Sequence, residues 1–240
     1  INKKKEIYRF LLIFLESDDK SQNDFENLKN VIQLQAILNK PQEFKHFLCL
    51  LYNISSNHHR FPGFFDKILQ ILLFYEKEIK QTFSNQELFT IFMNNKYLLL
   101  ILFQKGIITV DESISNLIYQ THNYQFFYTE IKPFLSIEKI RIIENELLSI
   151  DSNVFDNFEE KRQNGENETY ICTLIRNDSI QEFVRYVNLT KFPISSQIKP
   201  SIFETNEFLI ENEPTLIEYA AFFGSLKIFT YLKSKLSKIP

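Results

Sequence analysis

The side chains suited to chemistry are few and scattered along the 240 residues. His46-x-x-Cys49 sets an imidazole and a thiol one helical turn apart, and His58-His59 follows, so zinc binding is the first chemistry to weigh. No second Cys lies near, and 58–60 reads as a polar turn, so bonded or solvent-facing imidazoles are the simpler account. Cys172 is the other thiol, a candidate nucleophile weighed below against a buried, inert role. The carboxylates of 156–168 make an acid–base pair only if they fold together opposite a cleft, and a solvated linker explains them without that requirement. Lys233, Lys235 and Lys238 cluster where a helix C-terminus favours cations, which competes with a phosphate-binding reading. Paired aromatics at Phe64-Phe65, Phe126-Phe127 and Phe222-Phe223 suit ligand stacking, yet their helical spacing makes core packing the default reading. No catalytic residue, metal ligand or cofactor site is expected, and the chain reads as a non-enzyme.

The composition narrows the fold. There are 27 basic and 30 acidic residues, 4 Gly, 7 Pro, 2 Cys, no Trp and 25 Phe. So little Gly disfavours a turn-rich β-sandwich or barrel. No GxGxxG or GxxxxGK[ST] phosphate loop occurs. A formal charge of −3 argues against a nucleic-acid binder. Two well-separated Cys give no disulfide framework. The basic start at Lys3-Lys4-Lys5 with its apolar run 10–15 mimics a signal peptide. The run is short and no small-residue cleavage site follows, so an amphipathic first helix is expected. The densest later run, 97–103, falls far below the ~20 apolar residues of a membrane span. A cytoplasmic chain without a membrane span is expected. The absent initiator Met points to a start partway through a longer product or to trimming.

Apolar residues recur at three- and four-residue spacing over 7–15, 25–38, 44–52, 64–79, 88–93, 97–103, 114–119, 124–134 and 137–150, which predicts helices. Ser84-x-x-Glu87 is a capping box, Pro41 and Pro62 suit first helical turns, and Gly106 suits a helix C-terminus. Residues 156–169, acidic and carrying Asn164-Gly165, read as a seam. The boundary is placed at 160, between a helical domain 1–160 and a second part 161–240.

That second part holds the strongest pattern. Thr215, Ile217, Ala220, Ala221 and Gly224 stand in a phrase that resembles one ankyrin repeat, with Leu216 and Glu218 at its usual Pro and His positions. Thr215-x-x-Glu218 is itself a capping box, the alanines permit close helix packing, and Gly224 permits a sharp turn with positive φ. A poorer copy begins at Ile171, and aligning Asp178 with Gly224 gives an offset of 46 residues against the family's typical ~33. That alignment puts Cys172 on the inner face of a helix, as a buried, inert small hydrophobe. The excess falls in an enlarged finger insert, 188–213, where Ser201-x-x-Glu204 is expected to start a short helix.

The wording of 201–206 and 215–225 is similar to a protist family in which a helical segment precedes ankyrin repeats. The resemblance implies an all-α solenoid of helical hairpins and a role as a protein–protein scaffold or adaptor. Its expected surface is Lys191, Phe192, Ile198, Lys199, Phe203 and Phe208 on the finger together with the concave face of the units' first helices, with Phe222 and Phe223 at the repeat's variable positions. The alternative is a regulatory segment of a larger enzyme. Further repeats or another subunit are expected to cover the apolar helix before Pro240.

Overall fold

The computed structural model describes residues 2–17, 22–57, 63–121 and 123–237. His58, His59, Pro62, His122 and Lys238 lie outside them. Among the described residues there are 16 α-helices and no strand, so the chain is all-α. It divides into two compact units, Ile1–Ile143 and Glu144–Pro240. The division precedes residue 160 because the acidic seam is not a linker. There α11 (Phe158–Asn164) buries Phe158, and Arg162 is only 1% exposed. The Arg162 Nη2 donates to Glu159 at 2.6 Å, and its guanidinium lies 5.4 Å from the Phe158 ring.

The first unit runs α1 (Asn2–Glu16), α2 (Gln22–Leu34), α3 (Pro41–Asn57), α4 (Phe64–Phe74), α5 (Glu76–Thr82), α6 (Asn85–Phe92), α7 (Lys96–Gln104), α8 (Glu112–Gln120) and α9 (Tyr128–Ile131). A 3-10 turn, Lys132–Phe134, follows, and the division between units falls within α10 (Ile137–Ile150). The run 64–79 breaks at Tyr75 (φ −100°, ψ 17°) into α4 and α5. Leu11, Phe44, Leu48, Phe64, Leu99 and Phe127 are among its core side chains. A buried Asn95 ties two helices of this unit. Its Oδ1 accepts from the Leu98 amide at 2.9 Å to cap α7, and its Nδ2 donates to Ser55 Oγ on α3 at 3.0 Å. Ser84 and Glu87 form their capping box at α6.

The second unit continues with α12 (Tyr170–Arg176), α13 (Ile180–Thr190), α14 (Glu207–Asn212), α15 (Leu216–Phe222) and α16 (Leu226–Leu236). The pairs α12–α13 and α15–α16 are hairpins with helices of 7 and 11 residues each. Their turns match residue for residue. Asp178 (φ 48°) and Gly224 (φ 65°) occupy the same left-handed position. Behind them Ser179 N donates to Leu174 O at 3.0 Å, and Ser225 N donates to Ala220 O at 2.9 Å. Helix α12 packs on α15 and α13 on α16. Three hydrogen bonds lock the pairs in register. Ser225 Oγ donates to Ile175 O, and Asp178 accepts from the amides of Lys227 (3.1 Å) and Ile228 (3.0 Å), capping α16 from the neighbouring hairpin.

No atom lies within 4 Å of where a Cβ on Gly224 would stand, so a substitution there meets backbone strain and no clash. Gly224→Val is expected to destabilise the second unit by about 1–3 kcal/mol in denaturant unfolding. An unchanged transition would contradict the positive φ.

Candidate functional site

The insert 188–213 does not project as a finger but folds back on the unit. After α13 ends at Lys191 (φ 52°), Phe192 packs against Tyr186 with ring centroids 6.2 Å apart. The chain then returns beside the entry of α15, where Ile198 N donates to Pro214 O at 2.8 Å and Leu216 N to Ser196 O at 3.3 Å. No helix starts at Ser201-x-x-Glu204, because the Glu204 carboxylate turns inward. It is 4% exposed and accepts from the amides of Asn167 (3.2 Å), Thr205 (3.0 Å) and Asn206 (2.9 Å). Around it Asn167 Nδ2 donates to Lys199 O at 3.0 Å, and Thr205 Oγ1 donates to Gly165 O at 2.7 Å. Ser201 Oγ donates to Glu168. The helix begins later, as α14, where Asn206 Oδ1 accepts from Leu209 N at 3.2 Å.

This folding sorts the expected surface residues. Ile198 and Phe203 are core. Phe203 is 1% exposed, with its ring 5.3 Å from Phe158 and the Lys161 ammonium 5.5 Å from its centroid. Apolar area of that size gains more by burial than a projecting loop would return. Lys191 and Lys199 remain exposed and Phe192 is half-buried. Phe208 is 52% exposed, and its ring stacks on Phe222 of α15 at 5.7 Å with 7° between the planes. Phe222 meets Phe223 edge-on at 5.1 Å. The structure thus brings Phe208, Phe222 and Phe223 together as one aromatic cluster. At its border Thr215 and Glu218 form the capping box of α15, with Ile217 half-buried, Ala220 buried and Ala221 exposed.

Behind the aromatic cluster lies a polar network that motif reading did not identify. Arg176 donates from Nη1 to Asn167 O at 2.7 Å and to the Tyr219 hydroxyl at 2.9 Å, while its Nε meets Glu166 at 2.7 Å. Its guanidinium also lies 6.0 Å from the Phe223 ring. A lone cation closing the apolar helix α12 was the available signal. Burial pushes the Tyr219 phenol and the Cys172 thiol up, so both stay neutral at ordinary pH. A thiol so placed is not an activated nucleophile.

Among the described residues no group of three or more His, Cys, Asp or Glu is placed to hold a metal. No described helix is long and apolar enough to cross a membrane. Comparison with protein-family models, curated proteins and solved structures gives no significant match.

Burial pushes the Glu204 carboxyl above the usual carboxylate range, outweighing the three amides that favour its charge. With the folded value above the unfolded one, the folded chain holds the proton longer. Its contribution is therefore fully present below the unfolded value of about 4.3 and is lost as pH rises through the folded value. Wild type is expected to gain stability over Glu204→Gln as pH falls from about 7 towards about 4 in denaturant titrations. A gap that instead grows with rising pH would contradict the buried, uphill carboxylate.

Proposed function

We propose that the chain is a non-catalytic protein-interaction scaffold of the ankyrin type, binding through the edge where its insert meets the second hairpin. One observation carries this reading: the exposed Phe208 ring, held against Phe222 by an insert that is itself fastened by Glu204. A phenyl ring held half in water gains by being covered. Fixing it beforehand lowers the ordering cost that a partner must meet. The matched hairpins support the ankyrin-type reading, since equal helices, equal turns and helix-on-helix stacking are what a repeat produces. Lys191 and Lys199 lie exposed elsewhere on the same insert, and Phe192 is half-buried against Tyr186 of α13, so the proposed surface is centred on Phe208 and Phe222. An intracellular, cytoplasmic setting belongs to the same proposal.

The test is affinity capture with the full chain and with Phe208→Ser, both checked for the same thermal transition. Partners held by the native chain and depleted about tenfold by the variant support the reading. Equal recovery would place the binding surface elsewhere.

A further inference from the structure

The chemistry around the stacked rings specifies the partner more narrowly. Phe208 and Glu211 stand three residues apart on α14, and Glu218 and Phe222 stand four apart on α15. Each ring therefore shares its helix face with a carboxylate. Both carboxylates are exposed. The Thr215 hydroxyl and amide hold the Glu218 carboxyl below the usual carboxylate range, so this charge persists into mildly acidic solution. Residues 200–226 contain Glu204, Glu207, Glu211, Glu213 and Glu218 and no Lys, Arg or His. Glu204 is spent inside the fold, and the others leave the surroundings of the rings negative without a cation from the same stretch. On its inner side the aromatic cluster already accommodates a guanidinium, because Arg176 lies 6.0 Å from Phe223 while paired to Glu166.

Resting on the interaction reading above, we infer that the Phe208–Phe222 face docks an arginine-rich peptide segment of a partner protein. One guanidinium lies over the open face of Phe208, and its neighbours pair with Glu211 and Glu218. A phenyl ring attracts a cation to its face, and flanking carboxylates complete the match that an apolar peptide would leave unmet. A nucleic acid or an anionic lipid surface would be repelled by these charges. A second copy offering this same face would set like charges opposite one another.

The experiment uses the full chain and a fluorescein-labelled twelve-residue peptide with four arginines spaced by Gly and Ser. Control peptides carry Gln or Glu in place of Arg. Anisotropy is expected to show binding of the Arg peptide alone, weakened roughly tenfold by Phe208→Ser and by Glu211→Lys in separate variants. It should also weaken severalfold between about 50 and about 300 mM salt. Phe208→Ser alters no charge, so its effect separates docking on the ring from general attraction to an acidic protein. Equal binding to wild type and Phe208→Ser would overturn the site. A parallel selection of random displayed peptides on the full chain separates the two readings. Non-basic winners that still require Phe208 would overturn the arginine chemistry and leave the interaction reading standing. No winner at all, with no Arg-peptide binding, would overturn both.

Discussion

A carboxylate taken out of water must find donors, and Glu204 finds them on two stretches of chain far apart in sequence. Its bonds to Thr205 and Asn206 are local, and its bond to the Asn167 amide joins the insert to the segment that leads into α12. Leaving such a group unmatched would cost several kcal/mol, so the two stretches are held together or the insert does not fold this way. Asn167 and Thr205 add their own bonds across the same seam. Phe203, beside Glu204 in sequence, is thereby directed inward onto Phe158, and Asn206 is placed to cap α14. Phe208 then emerges beside Phe222.

The hairpins supply the frame on which this seam closes. Their equivalence reaches the turn residues, yet Asp178 and Gly224 solve the same left-handed position differently. Gly224 takes it without a side chain. Asp178 bears the strain of about 1–2 kcal/mol and uses its carboxylate to cap α16 across the hairpin interface. Arg176 completes the link by bonding the Asn167 carbonyl on one side and Tyr219 of the second hairpin on the other. Insert, first hairpin and second hairpin thus share one polar network.

The sequence was most legible where structure is set locally. Thr215 with Glu218 and Ser84 with Glu87 each close a box within one turn, and the structure has both. Gly224 was legible as a left-handed turn residue, and the offset of 46 aligns Asp178 with it, where the structure has the same conformation. Ser201-x-x-Glu204 has the same spacing as those boxes and misleads, since Glu204 takes an amide donor 37 residues away in place of a helix start. Phe203 and Phe208 are the same residue type five positions apart, and spacing alone does not say which one the seam turns inward. The break at Tyr75 carries no Pro or Gly to announce it, and the acidic seam hides its burial because Phe158, Arg162 and Asn167, and none of its carboxylates, are among its buried members.

The most direct test of this account is amide hydrogen exchange at Asn167, Thr205 and Asn206 in the native chain. The account predicts slow exchange at all three, and faster exchange together when Glu204 is changed to Ala, because one carboxylate holds them. Exchange at the rate of an open loop in the wild-type chain would mean that the insert is not fastened and that Phe208 has no fixed place on the surface.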